Sequence, residues 1–309
     1  MTSLSLPFTW FRPTAAWVAA LCAAALTHAQ PAPGSRAGAA ISLAIDGAAT
    51  SQTDFTARGA SAGGFAVTQY GAKLKIPLPP LNGAWFPAIG LDYQHYDLDR
   101  EAGTPLPDTL KSLGASFSVV GVPVKDWVFI ASAGPEISNA GSGFTQRGLG
   151  FGLFALATRK FTSDFSAGFG VVYDSLSRGT GRILPVATFD WTPAPGWRAF
   201  LGFPRTGASW QINDALKAEF VAEADFGSFY VTDAPVPRSA LRPALDRTRL
   251  EYQALRVGPA VTWKASPTFQ TRVAVGAVPI LNVDYHSRGY KLKSDDTAAF
   301  VSAELEWKF

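Results

Sequence analysis

The sequence predicts an all-β protein, a single closed antiparallel barrel whose strands cross a membrane. Three observations predict it. From about residue 64 to the end, short runs alternate large apolar residues with small or polar ones, and Gly, Pro, Asn, Asp and Ser break them. No run holds a helical period over about 12 residues, and none approaches the ~18 consecutive apolar residues of a spanning helix. The face opposite the large apolar residues carries Gly, Ala, Ser and isolated charges, which suits a crowded barrel interior better than the wet face of a soluble sandwich.

The N-terminus reads as an export signal over residues 1–29. Arg12 precedes an Ala-rich apolar stretch from Thr14 to Leu26, and Thr27 and Ala29 are small residues suited to cleavage before Gln30. Residues 30–39 form a Pro/Gly linker, and residues 40–309 form the barrel domain. Cys22, the single cysteine, lies inside the signal, so the exported chain carries no disulfide and no thiolate ligand. The 27 basic and 24 acidic residues give +3. That near balance gives no support to nucleic-acid binding.

Residues 39–63 hold two weak strand candidates, "AISLAIDG" and "TDFTARG". Clear alternation follows in runs such as Tyr70 to Ile76, Trp85 to Tyr93, Phe165 to Tyr173, Leu216 to Phe226, Leu255 to Trp263 and Phe269 to Pro279. The segment "GLGFGLFALATRKF" is also read as a strand, although Phe154 and Leu156 fall on its polar face. Another strand runs through Trp197, Ala199, Leu201 and Phe203. Aromatics near strand ends suggest two girdles, one at each membrane interface. At roughly 22 residues per strand and turn, the domain predicts about 12 strands, with 10 to 14 as the range for an even count. "KASP" (264–267) reads as a periplasmic turn, and residues 232–247 and 286–295 as external loops.

The last residues, "AELEWKF", split into two faces: Leu305, Trp307 and Phe309 against Glu304, Glu306 and Lys308. This ending resembles the β-signal of bacterial outer-membrane barrels, although Thr297 to Phe300 lack the upstream Gly that family examples often carry. The resemblance implies that Leu305, Trp307 and Phe309 are read by the barrel-assembly machinery during insertion. The whole chain also resembles uncharacterised outer-membrane barrels of this length, with "LGFPRTG" (201–207) before a late strand; that resemblance implies no activity. The expected location is the cell outer membrane. The expected partner is outer-membrane lipid; Arg238, Arg242, Arg247 and Arg249 read first as part of a solvated loop, with contact to lipopolysaccharide phosphates as the alternative.

The alternation turns Lys217, Glu219, Glu223, Asp225, Arg256 and Arg272 toward the lumen. Such charges build either a salt-bridge network that closes the barrel or a charge-tuned pore. The leading expectation is a structural barrel or a narrow channel for small solutes. A lipid-modifying membrane enzyme and a secreted β-sandwich binding protein are the alternatives. For the enzyme, Asp284 and His286 share a strand face, but adjacent Ser287 points away and no motif marks a nucleophile. No catalytic residue, metal site or cofactor is expected, and the sequence does not fix an oligomeric state.

Overall fold

The structure, a computed structural model, describes residues 40–309 except 142, 178–181 and 240–241. The expected export signal and linker lie outside the described residues. Sixteen strands form one sheet: β1 (Ser42–Thr50), β2 (Thr53–Ala57), β3 (Ala60–Pro77), β4 (Trp85–Arg100), β5 (Thr109–Gly121), β6 (Trp127–Ala140), β7 (Leu149–Lys160) and β8 (Phe165–Asp174) make up its first half. The second half comprises β9 (Ile183–Ala194), β10 (Trp197–Leu201), β11 (Arg205–Gln211), β12 (Leu216–Val231), β13 (Thr248–Ser266), β14 (Phe269–Tyr285), β15 (Tyr290–Ser294) and β16 (Ala298–Lys308). No helix among the described residues is long and apolar enough to cross a membrane.

From β3 to β14 each strand pairs antiparallel with the next, and β1 closes the ring by pairing with both β16 and β3. β2 continues β1, and β15 continues β16, because each occupies the same position between β3 and β14 higher up the wall. Both breaks are bridged: the Ser51 amide donates to the Ala299 carbonyl at 2.8 Å and the Thr53 hydroxyl to the Asp296 carbonyl at 3.2 Å. The barrel therefore has 14 staves, at the top of the expected range. β10 and β11 fit two staves into residues 197–211, where the alternation had marked one strand through Trp197 to Phe203. Pro195 and Gly196 turn β9 into β10, and Gly196 takes the left-handed conformation (φ +80°) that glycine adopts without steric cost.

The outer wall is apolar in a broad band. Ile89, Leu113, Phe117, Phe151, Phe169, Phe220, Val273 and Val301 are all exposed on it, as lipid contact requires. The girdles differ from the expectation of two alike. All seven tryptophans of the described residues lie at the rim that carries both ends of the wall: Trp85, Trp127, Trp191, Trp197, Trp210, Trp263 and Trp307. Trp197 stacks on Trp210 at 5.7 Å, and Phe269 packs on Trp307 at 5.1 Å. Toward the opposite rim the aromatics include tyrosines, with Tyr70 stacked on His95 at 4.5 Å and Arg182 over Tyr173 at 5.6 Å. An indole spans the boundary between headgroup and hydrocarbon, so the tryptophan belt marks one interface.

Candidate functional site

The lower half of the interior is held by ion pairs. Glu219 sits among Arg205 (3.3 Å), Lys217 (3.0 Å) and Arg272 (3.4 Å). Arg272 also reaches Glu223 and Glu304, each at 3.5 Å, and so links β12, β14 and β16. Higher up, Arg256 pairs with Asp225 at 2.9 Å and bonds to Gln69, and the Tyr96 hydroxyl donates to Asp225 at 3.1 Å. Lys217, Glu219, Glu223, Asp225, Arg256 and Arg272 are thus engaged with one another and with Arg205, Glu304 and Gln69. Arg272 and Glu219 are both buried. Stranding either charge by removing its partners would leave it in a low-dielectric interior.

Above this layer the inner face turns apolar. On β12 the residues in phase with Glu223 and Asp225 become Phe229 and Val231; on β13 they become Ala254, Tyr252 and Leu250. With Tyr96, Leu98, Val283 and Tyr285 they form a fully packed core. Leu106 and Leu245 enter it from the loops after β4 and β12, and the Tyr285 hydroxyl donates to the Pro105 carbonyl at 2.8 Å. Burying each large side chain contributes about 1.5–3 kcal/mol. This core fills the barrel's axis at its upper end. The loop at 232–247 is accordingly folded inward in part, and Arg249 is not a loop residue. It lies in β13 and donates to the Ser175 and Leu176 carbonyls at 2.8 and 2.6 Å.

The upper end of β12 stays paired with β13 but closes on its other side against β6. Tyr230 and Val231 pair in parallel with Asn139 and Ala140 of β6, bypassing β7 to β11. The face of β12 that meets lipid lower down here looks into the lumen enclosed by β6 to β9. Its residue Ser228 is buried, and its hydroxyl bonds to that of Ser177 at 2.8 Å. Between the crossed strand and the wall lies a cavity of about 590 Å³. Such a volume falls in the range of small-molecule sites. Asp92, Glu136 and Asp174 line it from β4, β6 and β8, and Phe154, Val172 and Leu184 add apolar surface. Ser138 donates to Glu136. Asp174 accepts from the Leu176 amide at 2.7 Å and the Ser177 hydroxyl at 2.7 Å. Phe154, which looked misplaced on a polar face, points into this cavity.

Beside the cavity two staves of the wall are short. β10 and β11 are only 5 and 7 residues long, whereas a spanning strand needs ~9–11. β11 leaves β12 at the Arg205–Glu223 pair, and β10 leaves β9 at Leu201–Phe189. Above these points, β9 from Ile183 to Thr188 pairs only with β8 among the described residues. Phe203 and Phe226 stack at the edge of the gap, 5.8 Å between centroids and 9° between planes. Beneath it, an apolar groove of about 560 Å³ runs along the outer wall past Phe189, Trp191 and Leu201.

Other sequence candidates fall elsewhere. Asp284 faces Lys291 at 3.8 Å, Ser287 bonds to Thr248, and exposed His286 lies in a 3-10 turn. Part of the expected loop at 286–295 is instead β15, because Tyr290 and Leu292 turn into the core while Lys291 and Lys293 turn away from it. His95 is buried between rings, with its nitrogens 2.8 Å from Asp97 and 3.2 Å from the Tyr93 hydroxyl. No group of three or more His, Cys, Asp or Glu residues that could hold a metal ion occurs among the described residues. Leu305 and Trp307 lie on the seam strand opposite Ile45 and Leu43, and the Phe309 amide donates to the Ile41 carbonyl at 2.8 Å. The cavity itself was not foreseen from sequence. A signal for it exists in Ser228, Glu251 and Gln253, polar residues in phase with the lipid-facing positions of β12 and β13.

A family model described as "Domain of unknown function (DUF6268)" matches residues 73–308. No curated protein matches the chain. Among solved structures, the COG4313 outer membrane channel from Pseudomonas putida F1 is similar with a TM-score of 0.51 at 7% identity, covering 88% of this chain and 96% of that one. A Pseudomonas aeruginosa FadL homologue has a TM-score of 0.44 at 9% identity, covering 87% and 89% of the two chains. The KdgM porin has 0.33 at 8%, covering 86% and 99%. The fold is that of outer-membrane barrels.

Proposed function

We propose that the chain, which belongs to the DUF6268 family, is an outer-membrane barrel that passes small solutes by a narrow, side-shifted route. One observation carries this reading: the barrel axis is filled by the upper apolar core, while a cavity of about 590 Å³ remains beside it, under the crossed end of β12. A wide diffusion pore needs a water-filled lumen through both rims, whereas apolar side chains of the described residues pack inside the upper rim. The protein of similar fold named an outer membrane channel supports the same class of function. The apolar outer band and the tryptophan belt support the membrane setting, and an export signal at residues 1–29, as read from the sequence, would deliver the chain to it.

The paired interior charges act in this reading as braces that hold β11 to β16 in place, with the cavity carboxylates as the polar surface a solute meets. Planar-bilayer recording of the purified barrel tests it: small or no unitary conductance is expected. A large, stable, ohmic conductance would overturn it. Faster entry of small solutes into cells that carry the barrel, relative to cells that lack it, is the accompanying expectation.

A further inference from the structure

We propose that the outer wall holds one phosphodiester-bearing diacyl lipid at the tryptophan rim, with its phosphate on Arg159 and the start of one acyl chain in the groove past Phe189, Trp191 and Leu201. This site lies on the lipid face of the barrel and stands apart from the solute-passing reading. The groove is a hollow of about 560 Å³ in that face. Ala199 of β10 lies opposite Ala208 of β11, so two neighbouring staves carry only methyl groups there. Phe165, Phe189 and Trp191, on β8 and β9, stand above that floor and flank it. From Trp191 in the belt the hollow rises to Phe189, two residues or roughly 7 Å along β9 toward the hydrocarbon. Thr206 is the only hydroxyl in the lining, and it donates to the Gly202 carbonyl at 3.0 Å. The hollow therefore offers mainly apolar contact, which suits a hydrocarbon chain.

A cation stands beside it. Arg159 ends the lipid-facing phase of β7 and lies opposite Trp127 of β6. Its guanidinium carbon is 5.9 Å from the centre of the Trp127 ring and 5.3 Å from that of Phe161. Phe161 in turn packs on Phe165 at 5.9 Å, and Phe165 lines the hollow. In register, Arg159 is opposite Ala167 and Ala167 is opposite Phe189, so two strand spacings, roughly 10 Å, separate the charge from the hollow. The small side chain of Ala167 leaves the surface between them low.

The tryptophan belt marks the depth of the lipid headgroups, and Arg159 is held at that depth by two aromatic faces. It forms no ion pair with a carboxylate among the described residues, so its charge is left for an anion from the bilayer. The planar fork of a guanidinium matches phosphate oxygens. A phosphate on Arg159 and a chain in the hollow are the two ends of one lipid, joined by its glycerol across Ala167.

The test measures retention of dioleoylphosphatidylglycerol and of dioleoylglycerol, which has the same chains and no phosphate, on the purified barrel by native mass spectrometry. Wild type, Arg159→Gln and Ala199→Phe are compared, each verified as folded by heat-modifiable gel mobility. Wild type should hold one phosphatidylglycerol about fivefold more tightly than dioleoylglycerol, the equivalent of ~1 kcal/mol for a basic residue beside an anionic lipid. Arg159→Gln should abolish that difference. Ala199→Phe fills the hollow from the lipid side and should weaken retention of both lipids. Equal retention of the two lipids by wild type would reject the phosphate contact. Wild-type retention of phosphatidylglycerol in both folded variants would reject the site. A dimer mass that disappears in Ala199→Phe would make a second copy of the chain the occupant, and would overturn the lipid assignment.

Discussion

Val231, at the upper end of β12, pairs in parallel with Ala140 of β6, although β7 to β11 separate the two strands in the wall. In an otherwise antiparallel sheet this pairing divides the upper interior into a packed half and a hollow half. Replacing Val231 with Pro removes a backbone donor at the crossing, about 1 kcal/mol for one hydrogen bond, and also deletes core contacts. Amide exchange should then accelerate at residues 139–140 and 230–231 while the lower ladder of β12 with β13 stays protected. Unchanged protection at Asn139 and Ala140 would show that the crossing does not hold the two strands together.

Arg272 is the hub of the interior charges, with Glu219, Glu223 and Glu304 all within 3.5 Å. Arg272→Met should destabilise the barrel by up to about 3–5 kcal/mol, because it removes the cation shared by Glu219, Glu223 and Glu304, although Glu219 keeps Arg205 and Lys217. Glu219→Gln should cost less in that variant than it costs alone. Denaturant unfolding in detergent micelles, followed by tryptophan fluorescence, measures both. Additive losses in the double variant would mean that the two side chains do not act as a pair.

The chain's last strand carries a separate prediction. Phe309 is 73% exposed, so it contributes little packing to the finished barrel. Its deletion should lower the amount of barrel inserted in the outer membrane more than it lowers the unfolding midpoint of the purified protein. Normal outer-membrane levels of the deletion variant would count against a role for Leu305, Trp307 and Phe309 in recognition by the assembly machinery.

At Gly134 of β6 the wall has no room for a side chain: a Cβ there would lie 1.8 Å from the Ala115 carbonyl oxygen. That neighbour is backbone and cannot swing aside. Gly134→Ala should therefore cost about 1–3 kcal/mol, as overpacking does. It should also reshape the cavity wall, because Gly134 borders the cavity beside Glu136. Gly143→Ala, with nothing within 4 Å of its Cβ, is the matched control, and equal midpoints for the two would refute the steric account.

The closed β-architecture was legible because a strand with one lipid face repeats with period two, and this signal survives without any knowledge of pairing. Individual elements were lost where that signal changed meaning. β11, "RTGASWQ", alternates Thr206, Ala208 and Trp210, but its small residues gave a faint pattern next to the stronger run ending at Phe203. β15 looked like a polar loop because its lysines hid the two core residues between them. The larger omission was the upper core. Phe229 and Val231 share their phase with Glu219 and Glu223, so a reading that assigns one phase to the lumen expects polarity throughout it. At the upper end the inside is free to pack against inward-folded loops, so the same phase carries charges below and aromatics above. The crossing of β12 depends on contacts distant in sequence, which strand periodicity cannot encode.

Having every described tryptophan at one rim makes the barrel mechanically lopsided in its bilayer. That edge is moored at a fixed depth, and the tyrosine edge is tethered more loosely. When the bilayer thins or thickens, at fractions of a kcal/mol per Å of mismatch, the adjustment accumulates at the far edge, where the stunted β10–β11 hairpin leaves the wall lowest. Membrane thickness thereby becomes a dial on how much of that low stretch of wall is submerged.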